Sequence, residues 1–271
     1  MNIIQLALAE QVDEDKQLRA LLEEMNVKHI DVVVEYIRSI GDNLHDILAM
    51  DQQQIKEIAD RADESNFVQY LPAIWLAMQF SKRDFLTTFE AKISPQLLEF
   101  YDRYGQLIAK DFKLDYFPEL IAQRKEYESW VDGLGKMMNQ SNENTAAKLI
   151  RQALAEEKGI DWLADKLESS GQFKYNRARQ TAQTEIFRAY ASTDYSSYMA
   201  NDNVIGFEWN HDSPKTPREN HMAMDGVRIA KEQTFNVGGY EARFPRDYNL
   251  PPEESVNCHC FLTPVMAGES L

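Results

Sequence analysis

Over the first 170 residues, apolar side chains recur three and four positions apart. Leu18, Leu21, Leu22 and Met25 form one such series, and Ile30, Val33, Val34 and Ile37 another. That spacing gathers side chains on one face of an α-helix. Ser94-Pro95 predicts a helix start, because Ser caps the first free N–H groups and Pro tolerates the first turn. The stripe Leu97, Tyr101, Tyr104 and Ile108 follows it. Another helix is predicted from about Asn144 to Lys158 with Gly159 as its stop, and a short one from Ile160 to Ser170 ended by Gly171. No segment repeats at a fixed period, so a solenoid is not supported.

The pattern changes further along. A long helix is predicted from about Tyr175 to Ala200, with Ala178, Ala182, Ile186, Ala189 and Tyr190 on one face. Beyond it, six of the nine prolines lie past position 213, and Gly206, Gly226, Gly238 and Gly239 punctuate short segments. Val204 to Trp209 reads as a strand; Val227-Arg228-Ile229 and Phe261-Leu262-Thr263 are candidate short strands. The fold class expected is α+β. A mainly helical, acidic domain spans residues 1–170, and a small mixed α+β module, clamped by zinc, spans 171–271.

Composition narrows the function classes. With 271 residues and 44% hydrophobic content, the chain can bury a substantial core. Its 29 basic side chains against 44 acidic ones give a net charge of −15, which opposes broad binding to duplex nucleic acid. Residues 171–271 hold 10 basic and 13 acidic groups, net −3, leaving 19 and 31, net −12, for residues 1–170. The start of the chain lacks the basic region of a signal peptide, and no apolar run approaches the length of a membrane helix. A soluble protein made in a cytoplasm is expected.

The chemistry concentrates near the end. Both cysteines, Cys258 and Cys260, and three of the five histidines, His211, His221 and His259, fall within the last 61 residues. Cys-x-Cys is too tight for a comfortable intrachain disulfide, and a close pair in a reducing compartment points to metal or redox chemistry. Thiolate and imidazole favour zinc, and a small loop-rich module gains stability from a metal clip. The candidate ligand set is His221, Cys258 and Cys260, with Asp212 or another group fourth. The competing reading makes Cys258 a small core residue and His221 a hydrogen-bonded turn residue. His211 and His259 are read as ordinary structural histidines. No phosphate loop, Gly-x-Ser-x-Gly or His-Glu-x-x-His occurs, so no catalytic residue is assigned. Lys174 to Arg179, with Arg188, gives the long helix a basic start that can face DNA phosphates or pair with acidic neighbours; no DNA-binding residue is assigned.

In order along the chain, several segments resemble the Mu F-like phage head morphogenesis family. Ala182-Gln183-Thr184-Glu185 followed by Arg188-Ala189-Tyr190 is similar to its opening helix. Trp209, Asp212, Arg218 and His221 ahead of Asp225-Gly226 resemble its middle stretch. Pro251-Pro252 and Asn257-Cys258-His259-Cys260, then an apolar strand with Pro264, resemble its terminal motif. The resemblance covers roughly residues 172–265 and marks Glu185, Arg188, Trp209, Arg218, Asp225 and Gly226 as structural residues. In many relatives Arg218 and His221 correspond to the cysteines of a Cys-x-x-Cys, so His221 stands where others place a thiolate. Gln183 and His259 each replace a family Arg, and Ser255 stands where some relatives carry His. These departures leave the fourth ligand open among Asp212, His259 and water.

The resemblance implies a minor capsid protein of a tailed phage or prophage, not an enzyme. It would sit at the portal or head interior of the virion, with one structural zinc ion. Its implied partners are the portal protein, the major capsid or scaffold protein and packaged DNA, with no membrane. The alternative is a metal-dependent nuclease or toxin-like hydrolase.

Overall fold

The computed structural model describes residues 3–59, 67–114, 118–158, 160–212 and 217–271. Six helices come first: α1 (Ile3–Glu24), α2 (Ile30–Ala59), α3 (Phe67–Asp111), α4 (Pro118–Ala155), α5 (Ile160–Ser169) and α6 (Tyr175–Met199). A 3-10 turn, Gly171–Phe173, precedes α6. Then come β1 (Val204–Asn210), α7 (Glu219–Met222), β2 (Arg228–Ala230), β3 (Phe235–Val237), β4 (Tyr240–Ala242), α8 (Pro252–Ser255) and β5 (Phe261–Met266). The mainly helical chain with a small sheet region near its end agrees with the expected α+β class. No helix among the described residues is long and apolar enough to cross a membrane.

Two helix expectations are corrected. No helix starts at Ser94-Pro95, because α3 runs through both. Pro lacks an N–H and crowds the carbonyl four residues back, but Phe89, Ile93, Leu97 and Tyr101 are all buried. The apolar stripe thus continues across Pro95, and its burial outweighs the broken hydrogen bond. The helix expected from Asn144 begins instead at Pro118, where Pro occupies the first turn and Tyr127, Val131, Leu134 and Met138 already form a buried stripe. Gly159 lies outside the described residues.

The backbone groups into two compact units. One comprises Ser39–Leu97 and Glu128–Ala182. Ile40, Leu44, Leu48, Phe85, Phe89, Val131, Leu163 and Leu167 are among its buried side chains, and Gln52 ties α2 to α5 through the Leu167 carbonyl at 2.8 Å.

The other unit comprises Met1–Arg38, Leu98–Tyr127 and Gln183–Leu271. Its sheet has the order β2-β1-β5, antiparallel throughout, with β3 and β4 forming a separate hairpin. Gly206 sits at a register irregularity in β1. A Cβ there would lie 2.2 Å from the Ile229 carbonyl oxygen, so only glycine lets β2 approach. The hairpin turns at Gly238-Gly239, both with positive φ (61° and 94°), in the geometry of a two-residue turn. Along α6, the Tyr104 and Tyr190 rings meet edge to face at 5.7 Å, Tyr101 Oη lies 3.3 Å from Ser192 Oγ, and Tyr127 Oη donates to the Glu185 carbonyl at 3.3 Å. Helical residues from the first half of the chain therefore share a core with the sheet-bearing segment.

Asp194 is buried on α6 among these tyrosines. Burial lifts its carboxyl from 3.8 to about 7, against the opposing pull of the Tyr190 and Tyr198 hydroxyls and the Lys28 charge. The folded chain thus prefers the protonated acid. Its contribution is complete below the unfolded value near 4 and is lost as pH rises through about 7. Denaturant titrations across that window should show stability falling by on the order of a few kcal/mol from this group. Asp194→Asn should flatten that slope; an unchanged slope would show that Asp194 ionises freely in the fold.

Candidate metal centre

Sheet register brings the chemistry together. Antiparallel pairing matches Trp209 with Leu262 and Asn210 with Phe261, so Cys258 and Cys260 enter β5 beside the end of β1. After β1 the chain crosses to α7, which carries His221, then turns at Asp225-Gly226 into β2. The turn is tied to β1: Gly226 (φ 73°) donates its N–H to the Trp209 carbonyl at 2.9 Å, and Trp209 donates to the Val227 carbonyl at 2.9 Å. Asp225 Oδ1 accepts from the His211 N–H at 2.9 Å. Arg218, just before α7, donates to the Val256 carbonyl at 2.6 Å and so links α7 to the cysteine loop.

His221, Cys258 and Cys260 converge there. Their exposures are 2%, 3% and 1%, and their ligand atoms all lie within 4.8 Å of one another. His221 Nδ1 is 3.6 Å from Cys258 Sγ and 3.5 Å from Cys260 Sγ. A tetrahedral ion with metal–sulfur bonds near 2.3 Å and metal–nitrogen bonds of about 2.0–2.1 Å has N···S edges of about 3.6 Å. The three residues therefore fit a metal ion in donor type and spacing, and the triad can hold one.

The opposite imidazole nitrogen is also engaged. His221 Nε2 lies 2.9 Å from Glu254 Oε2 on α8, and Asn220 Nδ2 donates to Glu254 Oε1 at 2.6 Å. A carboxylate behind a histidine fixes its tautomer and makes the other nitrogen a better donor to metal. A Cβ on Gly238 would fall 2.7 Å from Glu254 Oε1, so the glycine hairpin makes room for this pair.

Electrostatics favour negative charge on sulfur. The hydrogen bond from Cys260, helped by His221 and the Arg246 guanidinium, outweighs burial and holds Cys258 well below the ordinary thiol range. Its charge and burial in turn push Cys260 up, while the Trp209 indole N–H works the other way. Burial disfavours the His221 imidazolium, but the Cys258 and Glu254 contacts raise it on balance. Arg246 is fully buried, with Nη1 donating to the Cys258 carbonyl at 2.5 Å and its guanidinium 5.4 Å from the Phe187 ring centre.

Arg246 is held from α6. Arg188, 1% exposed, bonds through Nε to Glu185 Oε2 at 3.0 Å and through Nη1 to the carbonyls of Arg246 and Asp247. Thr184 Oγ1 accepts from the Asn257 N–H at 3.4 Å. This burial takes Arg188 out of any surface facing DNA, and Arg177, from the same basic run, bonds to Asn142 at 2.9 Å. Trp209, fully buried, meets the His221 ring edge to face at 6.3 Å and Phe235 at 5.1 Å.

Asp212 is placed differently from the triad. Its Oδ2 lies 3.9 Å from His259 Nδ1, and the compact ligand group among the described residues does not include it. Burial, with the Arg246 charge, lowers His259 below the ordinary imidazole value. The residues that sequence reasoning passed over are Glu254 and Arg246; His211, read as a structural histidine, has its Nδ1 3.5 Å from Cys260 Sγ. Glu253-Glu254, four residues before Cys258, offered a weak signal for a carboxylate partner. Arg246 offered none.

Comparison with known proteins follows the same stretch of chain. Residues 144–263 match the family described as Phage Mu protein F like protein, so the chain carries a Mu F-like domain. A 148-residue stretch is 32% identical to the uncharacterized protein YqbB of Bacillus subtilis (strain 168), covering 53% of this chain and 48% of that protein. A 112-residue stretch is 28% identical to NAD(+)--arginine ADP-ribosyltransferase EFV of Enterococcus faecalis (strain ATCC 700802 / V583), covering 40% of this chain and 22% of that protein. The chain thus aligns with about half the length of the first relative and a much smaller share of the second. No solved structure matches it.

The buried Glu185–Arg188 pair is the hinge pin of this arrangement. Arg188→Met should cost about 3–5 kcal/mol in urea unfolding, because it strips charge compensation from a buried carboxylate. Adding Glu185→Gln should recover part of that loss. A cost below about 1 kcal/mol, typical of an exposed ion pair, would mean the pair does not hold the Arg246 loop.

Proposed function

We propose that this protein is a minor head protein of a tailed phage or prophage. Its domain, spanning 171–271 and centred on the metal triad, serves head assembly at the portal or capsid interior, beside an acidic helical domain over residues 1–170. The ion is zinc, in a structural role. The observation that carries this reading is the burial of all three ligands within a Mu F-like domain. Burial of all three keeps substrate away from the ion, whereas a catalytic zinc keeps a position open to it. The expected partners are the portal protein, the major capsid or scaffold protein and packaged DNA, in the virion of a phage made in a bacterial cytoplasm.

Elemental analysis of the purified chain should find about one zinc per chain, and Cys258→Ser should find none. Tagged protein expressed with its phage's head genes should copurify with portal or procapsids, and loss of the gene should give defective heads. Particles assembled normally without it would overturn the assembly role.

The second reading is a metal-dependent nuclease or toxin-like hydrolase; the partial likeness to a protein named an ADP-ribosyltransferase favours an enzyme in general and not DNA cleavage in particular. Incubation with DNA and divalent metals separates the two. The assembly reading expects intact DNA, whereas cleavage abolished by His221→Ala would favour the enzyme.

A further inference from the structure

We infer that His211 is the fourth ligand of the metal centre, completing a two-sulfur, two-nitrogen shell with His221, Cys258 and Cys260. This rests on the metal reading above and names the residue that finishes the same site. Three observations carry it.

The first is register. β1 and β5 pair antiparallel, with Trp209 opposite Leu262 and Asn210 opposite Phe261. Continued one residue past the last paired rung, that register sets His211 against Cys260, which carries this imidazole toward the thiol. The Asp225 carboxylate holds the rung by accepting the His211 N–H at 2.9 Å.

The second is distance. His211 Nδ1 lies 3.5 Å from Cys260 Sγ, the same as His221 Nδ1 from that sulfur. Both match the N···S edge of about 3.6 Å that a tetrahedral zinc shell requires.

The third is unmet polarity. His211 Nε2 is buried and has no hydrogen-bond partner among the described residues. On the other side, Nδ1 faces only a soft sulfur, a weak hydrogen-bond partner. Donating the Nδ1 lone pair to a cation replaces that weak contact with a strong bond, with the imidazole proton kept on Nε2. Asp212, in contrast, is directed to His259 at 3.9 Å. His211 stands outside the group whose atoms are all within 4.8 Å of one another, so metal uptake draws it in by rotation about its side-chain bonds.

The test is cobalt(II) titration of the full chain with a chromophoric chelator as competitor, reading affinity, thiolate charge-transfer absorption and ligand-field bands. Wild type should show four-coordinate bands and charge transfer from two thiolates. His211→Ala should keep the two-thiolate absorption, shift the ligand-field bands and bind at least about ten- to a hundredfold more weakly, the loss that removing a mere outer partner of a ligand already brings. His211→Cys should raise the charge-transfer intensity by about half, three thiolates replacing two. Asp212→Asn should leave everything unchanged. Wild-type affinity and bands in His211→Ala, no intensity gain in His211→Cys, or a shift in Asp212→Asn instead, would each overturn the assignment while the metal site stands. A wild-type chain that binds no cobalt would overturn the metal reading itself, and this inference with it.

Discussion

Everything in the sheet-bearing unit is arranged around one difficulty, the burial of two thiols, an imidazole and a guanidinium within a few ångströms of each other. Buried charge costs several kcal/mol per ion unless it is compensated. Arg246, 0% exposed, is compensated by negative charge on the neighbouring sulfurs, the Cys258 carbonyl and the Phe187 ring. A divalent cation would cancel the charge of both thiolates and keep His221 uncharged. Without the cation, the same cancellation depends on one thiolate and an imidazolium, a less robust arrangement because it varies with pH.

The chain meets this difficulty by bracing each member from a different element. β-pairing sets the β1 and β5 ends side by side, the Asp225-Gly226 turn returns α7 toward Trp209, and α8 supplies Glu254. From α6, Thr184 and Arg188 reach the loops that carry Cys258 and Arg246. Arg188, Arg218, Asp225 and Gly226 each bond to a loop or strand end that carries a member of the buried cluster.

Much of this was legible in the residues. The helical first half, the long α6, the strand ending at Trp209 and the grouping of His221 with Cys258 and Cys260 all follow from periodicity and residue chemistry. Other features were hidden for identifiable reasons. Ser94-Pro95 carried a strong local start signal, yet the apolar stripe through Ile93 and Leu97 overrode it. The β3–β4 hairpin has strands of three residues, too short for alternation to register, although Gly238-Gly239 marked its turn. Tyr101, Tyr104 and Tyr127 read as ordinary helix-face residues, and nothing local shows that they pack on α6. Glu254, Arg246 and His211 owe their importance to long-range pairing, which no spacing along the chain encodes.

The most direct measurement of the central claim is X-ray absorption at the zinc edge on the purified, zinc-loaded chain. This account predicts a four-coordinate first shell with two sulfur atoms at about 2.3 Å and two imidazole nitrogens at about 2.0–2.1 Å. A shell made only of oxygen and nitrogen, with no sulfur, would contradict it, because the ion would then be bound somewhere other than Cys258 and Cys260.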